Sequence, residues 1–200
     1  MNKKILSIIV VAVLCAATVA QEKRYGIERA IIKKSSEMMG QKVTTILYID
    51  EYGVKELSEM TIEMQGQKLT QITLIKDGYA YNANLTFNQG AKIKLDNVED
   101  LNSLNFLNLN AELKQKYQIV EKGAEELLGR KCDVYEMTYT EQGMSVKSTV
   151  WIWKGIPLKT MMSVMGNSIV DEVTEILEGV KIDKEKFEIP KGVDFMEVNM

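Results

Sequence analysis

The side chains that most often carry enzyme chemistry are absent or scattered in this sequence. Its 200 residues contain no histidine, which removes the usual general base and the commonest transition-metal ligand. Ser–His and Cys–His nucleophile pairs are excluded for the same reason. The 28 acidic residues could supply the two carboxylates of a glycosidase, but they are spread singly, as is typical of solvated strand faces. We therefore expect no enzyme activity and no catalytic residues.

Sulfur chemistry is the remaining possibility, from Cys132 and from twelve methionines. Cys132 has no histidine to lower the pKa of its thiol, which favours a small buried apolar role over a reactive one. Methionines cluster at Met38–Met39 and at Met161, Met162 and Met165, and thioethers bind Cu(I). No His or Cys is close in sequence to either cluster, which favours deformable packing. We therefore expect no metal and no cofactor.

The first twenty residues resemble a secretory signal peptide. Two lysines precede a short apolar stretch, and the small residue Ala20 ends the segment. The apolar stretch is shorter than a typical membrane-spanning helix. Leu14 occupies the position where lipoprotein processing at Cys15 would need a small residue. We expect a cleaved signal at residues 1–20, no lipid on Cys15 and no transmembrane span in the mature chain.

Charge and composition limit the kinds of molecule that this protein is expected to bind. Removal of residues 1–20 would lower the 25 basic residues to 23, against 28 acidic ones. Nucleic-acid binding needs a basic face, so we expect no nucleic-acid partner. The chain is 46% apolar and 26% charged, as folded globular proteins are, and we predict a single domain at residues 21–200. The signal predicts a periplasmic location in a Gram-negative envelope.

Nearly all of the chain after Gln21 has the alternating or β-branched pattern of β-strands. Two groups of five strands are predicted, with Asp77–Gly78 as the strongest hairpin turn. Residues 124–130 are expected to form a tight connection, and both prolines should lie in loops or at edges. Short connections leave no room for helical crossovers, so we expect an antiparallel meander whose order follows the sequence. The predicted strands are 25–38, 42–50, 54–65, 68–76, 79–85, 118–123, 130–139, 144–153, 158–166 and 169–178.

The segment 96–117 breaks the strand pattern. It begins with the Asp-x-x-Glu spacing of a capping box, and leucines such as Leu104 and Leu107 recur at helical intervals. Five asparagines weaken a single long helix, and Asn110 can cap a second short turn instead. We predict one or two short helices joined by a bend.

The predicted strand that ends at Trp153 is apolar on both faces near its C-terminal end. Val150 and Ile152 point to one side, and Trp151 and Trp153 point to the other. A sheet with one solvated face would leave one of these sides polar. We therefore expect other parts of the chain to cover each side of this strand.

Met161 and Met165 on the next predicted strand can lie beside the two tryptophans in a suitable register. Two explanations for so much apolar surface stay open. One is a thick two-layer core, and the other is a cavity for an acyl chain, with walls of pliable methionine and flat aromatic rings.

Three stretches resemble the LolA-type superfamily of periplasmic lipoprotein carriers. They are a hairpin with aromatic residues at 74–93, a tryptophan strand with a Gly-x-Pro-Leu turn at 150–162, and a closing strand at 175–195. Residues 128–139 are more similar to exported Bacteroidetes-type proteins of the same fold. The resemblance implies a mainly β (α+β) fold, in which a curved antiparallel sheet forms an unclosed half-barrel and 96–117 contributes to a helical lid.

The same resemblance implies a non-catalytic periplasmic binding protein for lipid-like or other apolar ligands, with a carrier, chaperone or envelope-sensing role. Its partner would be a lipid, the acyl chain of a lipoprotein or an envelope protein. The alternative is a protein–protein interaction module of the cell envelope with a solid core. An apolar cavity of roughly 300 Å³ or more favours the first, and an exposed apolar patch over a filled core favours the second. The residues expected to contact the ligand are Tyr79, Tyr81, Leu104, Phe106, Leu107, Trp151, Trp153, Met161 and Met165.

Overall fold

The computed structural model describes residues 23–38, 40–64, 66–94, 104–141, 144–164 and 167–198. In these ranges the chain forms a twelve-stranded sheet and one short α-helix. The elements are β1 (Ala30–Met38), β2 (Gln41–Asp50), β3 (Lys55–Met64), β4 (Gln67–Lys76), β5 (Tyr79–Asn84), β6 (Gln89–Lys94), α1 (Ala111–Lys116), β7 (Val120–Leu127), β8 (Arg130–Glu141), β9 (Met144–Trp153), β10 (Ile156–Val164), β11 (Asn167–Glu178) and β12 (Asp194–Val198).

The sheet combines two meanders that meet in its middle. Its strand order is β12-β6-β5-β4-β3-β2-β1-β11-β10-β9-β8-β7. Adjacent strands are antiparallel except at one edge, where β12 runs parallel to β6. The predicted curved antiparallel sheet is confirmed. A strand order that follows the sequence throughout was wrong, because β1 pairs with β11 and β12 returns to β6.

Several strand limits differ from the sequence prediction. The first strand begins at Ala30 rather than residue 25, because residues 23–29 cross the sheet instead of joining it. β7 continues to Leu127, so the predicted tight connection at 124–130 was wrong. A bulge at Gly123, whose φ is +101°, lets this strand stay paired with β8. Pro157 lies inside β10, next to a register shift, and not in a loop or at a sheet edge.

The N-terminal segment, residues 23–29, shows that the sheet is curled. The backbone N–H of Arg24 donates to the carbonyl of Tyr52 at 2.9 Å, and that of Gly26 donates to the carbonyl of Lys154 at 2.8 Å. Two residues of extended chain span about 7 Å, so these two carbonyls lie within roughly 13 Å of each other. They follow β2 and β9, which are four positions apart in the sheet, or about 19 Å in a flat sheet. The sheet therefore bends toward the N-terminal segment.

We call the side that carries the N-terminal segment the inner face. Tyr25 and Ile27 pack there in one core cluster with Ile32, Leu47 and Ile49 of β1 and β2. Since the sheet bends toward this side, the inner face is the concave one. The opposite side is called the outer face.

The connection from β11 to β12 covers part of the outer face. Ile182 and Phe187 pack in a second cluster with Leu57, Leu74 and Tyr81. A 3-10 turn at Lys184–Phe187 begins at Asp183, whose carboxylate accepts from the backbone N–H of Glu185. This connection carries the chain across the sheet, which explains why β12 can pair with β6 at the far edge. No helix in the described ranges has the length and apolar composition needed to cross a membrane.

Candidate ligand-binding face

Ladder pairs define the inner face in the half of the sheet away from the N-terminal segment. Directly paired residues in an antiparallel ladder have their side chains on the same face. Ser36 alternates with Ile32 along β1 and therefore lies on the inner face, and it pairs with Asp171 on one side and Val43 on the other. The same face continues through Thr160, Val150 and Tyr135 in one direction and through Ile62 and Leu69 in the other.

Half-buried side chains, five of them apolar, line the middle of this face, and we call them the inner trough. Val43 and Val146 on the same face are buried, with 2% of the surface of each exposed. The trough side chains belong to none of the three core clusters of the described chain, and they remain partly exposed to solvent. Its residues are Thr45, Met60, Ile62, Leu69, Met162 and Ile169.

The segment 104–119 covers the inner face at the β8 and β9 end of the trough. Leu104, Phe106 and Tyr117 pack there in a third cluster against Val150 and Ile152. Helix α1 within this segment begins at Asn110, whose side-chain oxygen accepts from the N–H of Leu113 at 2.8 Å. The cap at Asn110 confirms the predicted second short turn. Residues 96–103, where the first predicted helix begins, lie outside the described residues.

The cover is fastened to the N-terminal segment. The side-chain amide of Asn105 donates to the carbonyl of Lys23 at 3.0 Å. Leu107 packs at Gly155, where an added Cβ would meet Leu107 at 3.0 Å and the carbonyl of Arg24 at 2.6 Å. Both covers of the inner face are thus connected at the turn between β9 and β10.

Polar groups are placed at two positions beside the trough. Lys34 of β1 and Asp171 of β11 form an ion pair at 3.4 Å, with 14% and 27% of their side chains exposed. Ser148 of β9 is 4% exposed, and its hydroxyl has no hydrogen-bond partner in the structure. It lies between Met137 and Met162 in the ladder.

The two tryptophans lie on the side of β9 opposite to Val150 and Ile152, with Trp151 inside the first core cluster and Trp153 packed against it. At this end of the sheet the first cluster therefore includes side chains from both faces. Something therefore covers each side of this strand, as predicted. Trp151 donates its indole N–H to Glu125 at 2.8 Å. Trp153 lies under two cations, with the Arg130 guanidinium 4.9 Å and the Lys154 ammonium 4.6 Å from its ring centre.

The other predicted ligand residues are divided among separate places. Tyr79 and Tyr81, with ring centres 6.3 Å apart, belong to the outer-face cluster. Leu104 is buried and Phe106 is half-buried in the cover, while Leu107 is 49% exposed. Met161 is 40% exposed and pairs with Thr149, on the outer face and diagonal to Trp151. Met165 lies outside the described residues.

The trough was not predicted from the sequence. Its members were predicted only as ordinary strand residues, and Met162 only as part of a methionine cluster used for packing. The available signal was the alternation itself, since Met60 and Ile62 share one side of β3. Alternation separates the two faces but does not tell which one is concave.

Two open grooves lie on the surface of the described part of the chain. One, of about 530 Å³, is lined mainly by outer-face residues, including Glu37, Lys42 and Glu172. The other, of about 400 Å³, lies at Ile27, Arg29 and Glu178. Their charged walls differ from the apolar cavity expected for an enclosed acyl chain, and none of the nine predicted residues lines either groove.

Two titratable groups near the inner face have perturbed proton affinity. Burial, followed by the charge of Glu56, raises the pKa of Tyr25 far above its ordinary value. Burial also raises the pKa of Tyr135 in the third cluster. Both shifts favour the neutral phenol, which fits a tyrosine that packs and donates rather than one that acts as a base. In the described residues, no group of three or more His, Cys, Asp or Glu is arranged to hold a metal ion.

Comparison with solved structures supports the fold. An uncharacterised conserved protein of Thermus thermophilus matches with a TM-score of 0.54 at 11% identity, over 86% of this chain and 91% of that one. MucB in complex with MucA(peri) matches with a TM-score of 0.48 at 13% identity, over 85% of this chain and 57% of that one. The lipoprotein LppX of Mycobacterium tuberculosis matches with a TM-score of 0.42 at 11% identity, over 79% of this chain and 91% of that one.

Because these sequence identities are low, the likeness is one of fold alone. It rests on the Thermus protein, whose TM-score exceeds 0.5. The unclosed half-barrel expected from the resemblance to the LolA-type superfamily is the observed fold. No family model and no curated protein matches the chain.

Proposed function

We propose that the protein is a non-catalytic binding protein for lipid-like, apolar ligands, and that the inner trough is where such a ligand lies. The observation that carries the proposal is the presence of half-buried apolar side chains on the concave face beside the two covers, one group on β3 and β4 and the other on β10 and β11, with β1 and β2 between them. Burial of apolar surface is worth about 25 cal/mol per Å², so an acyl chain laid along these residues gains by shielding them from water. The methionines can adjust to chains of different shape.

The covers support this proposal because they leave the middle of the face open. The N-terminal segment fills the end at Ile32 and Ile49, and residues 104–119 fill the end at Val150 and Ile152. The trough lies beside them, toward the turns that connect β3 to β4 and β10 to β11, and stays open along the sheet. A periplasmic location, a lipoprotein acyl chain as cargo and an envelope protein as recipient belong to this proposal, as does cleavage of residues 1–20.

Two consecutive methionines of β10, which point to opposite faces of the sheet, offer a direct test of the trough. Met162→Asp places a carboxylate in the trough, and Met161→Asp places one on the outer face. Binding of a fluorescent fatty acid to the full-length mature protein should be lost in the first variant and kept in the second. Loss in the second variant alone would instead support the predicted site around the tryptophans. Equal binding in both variants, with an intact fold by circular dichroism, would contradict the proposed trough.

A second candidate function is a protein-interaction module of the envelope. The observation in its favour is apolar surface near the β12 edge, where Phe87 is 63%, Leu85 38% and Met196 73% exposed. If fatty acids and acylated peptides fail to bind the wild-type protein over a wide concentration range, this function replaces the first.

A further inference from the structure

We infer that the trough is selective for an anionic acyl ester, in which Lys34 binds the negative head group and Ser148 donates a hydrogen bond to the ester carbonyl. The inference rests on the proposed function and adds the class of ligand. Two independent observations carry it: an incompletely paired ammonium group and a buried hydroxyl without a partner, both on the inner face.

Among the described strands, Lys34 is the positively charged residue that lies on the inner face beside the trough. It shares β1 with Ser36 and Ile32, two residues away in each direction, and so points to the same side. Its ammonium group has three protons to donate, and its ion pair with Asp171 is 3.4 Å long. Charge-assisted N–H···O bonds are normally about 2.7–2.9 Å, so this pair leaves capacity for a second anion.

The observation at Ser148 is a buried hydroxyl without a hydrogen-bond partner. A buried hydroxyl without a hydrogen bond is costly, and such groups are rare in folded proteins. Its neighbours on the same face are Val146 and Val150 along the strand and Met137 and Met162 across it, which offer no strong acceptor. Methionine side chains can move aside, so that a carbonyl oxygen lying over Met162 would satisfy the hydroxyl.

The spacing of the two groups fits one ligand. Asp171, which Lys34 contacts, lies two strands and two residues from Ser148, or about 12 Å along the sheet. An anionic group joined to an acyl ester by a glycerol unit, with one hydrogen bond at each end, spans a distance of this order. A free hydrocarbon would leave the Ser148 hydroxyl without a partner and Lys34 with Asp171 alone.

Isothermal titration calorimetry of the mature protein with three probes tests the inference. The probes are lysophosphatidylglycerol, its ether-linked analogue and a neutral monoacylglycerol, each below its micellar concentration. Lys34→Met should weaken lysophosphatidylglycerol binding about tenfold and leave monoacylglycerol binding unchanged. Asp171→Asn should strengthen lysophosphatidylglycerol binding, because it removes the competing carboxylate.

Ser148→Ala should weaken binding of the ester several-fold and leave the ether analogue unaffected, since the ether lacks the carbonyl. Matched controls are Lys33→Met, at the outer-face position next to Lys34 on β1, and Ser163→Ala, at an outer-face serine of β10, the strand that pairs with that of Ser148. Neither control should alter binding of any probe. Thermal unfolding of every variant establishes that the fold is retained.

Failure of the inference is distinct from failure of the proposed function. If the wild-type protein binds all three probes equally, and the Lys34, Asp171 and Ser148 variants behave as their controls do, the selectivity is refuted and the trough remains. If the wild-type protein binds none of the probes, the inference and the proposed function both fail.

Discussion

Tyr25 donates its hydroxyl proton to a carboxylate oxygen of Glu56 at 2.8 Å, and this bond fastens the N-terminal segment to β3. The guanidinium of Arg24 donates to the same oxygen at 2.9 Å. Tyr25 is 6% exposed, so the bond is shielded from water. This arrangement holds one cover of the inner face in place, and with it the curvature that creates the trough.

Tyr25→Phe should lower the free energy of unfolding by about 2 kcal/mol, because the variant removes a buried hydrogen bond to a charged group. Urea denaturation measures this difference. The matched control is Tyr79→Phe, a half-buried position in the outer-face cluster, where a much smaller loss is expected. Equal losses at the two positions would show that the Tyr25 hydroxyl has no special role.

The same residue predicts a dependence on alkaline pH. Because burial and the charge of Glu56 raise the pKa of Tyr25 in the folded protein, the unfolded chain loses this proton first. The contribution of Tyr25 to stability is therefore complete below pH 10 and falls as the pH rises above it.

The difference in unfolding free energy between the wild type and Tyr25→Phe should consequently shrink by about 1.4 kcal/mol for each pH unit above 10. Denaturation curves at pH 9, 10 and 11 test this. A difference that stays constant over this range would mean that the phenol ionises in the folded state as readily as in the unfolded one.

Cys132 should be inert in the native protein. It is fully buried in the first cluster, and burial raises the pKa of its thiol, so that little reactive thiolate is present at neutral pH. A thiol reagent should label it no faster than the protein unfolds. Cys132→Ser should cost about 1–3 kcal/mol of stability through burial of a hydroxyl. Rapid labelling of the folded protein would contradict the buried assignment.

The helix cap at Asn110 predicts that protein stability depends on which residue type occupies this position. Asn110→Ala should lower stability by about 1 kcal/mol, because the N–H of Leu113 loses its acceptor. Asn110→Asp should retain the wild-type stability, since aspartate caps helices equally well. Chemical denaturation compares the two variants. If both variants lose the same stability, the cap does not stabilise α1.

Strands were predictable from the sequence because alternation reflects local chemistry. Asp77–Gly78 forms the turn before β5, and Asn110 caps α1, as the local signals indicate. The pairing of β1 with β11 was not predictable, because a ladder between residues 30 and 178 depends on the curvature of the whole sheet. The position of Pro157 was missed because the register shift in β10 is set by its neighbours.

The candidate site was harder to predict than the fold. Trp151 and Trp153 are conspicuous in composition, yet the structure buries Trp151 in a cluster with Ile32 and Leu158. The trough depends instead on half-buried residues such as Thr45 and Met60, whose types are common in any strand. Only the direction in which the sheet bends separates Met162, on the inner face, from Met161 on the outer face.

Photo-crosslinking with a lysolipid that carries a diazirine in its acyl chain tests the central claim most directly. Peptide mapping of the crosslinked mature protein should locate the adducts on β3, β4 and β10, at Met60, Ile62, Leu69 and Met162. An excess of unlabelled lysolipid should abolish these adducts. Adducts confined to exposed residues such as Met196 and Phe87, or adducts that excess lipid does not displace, would contradict the binding of a lipid-like ligand in the inner trough.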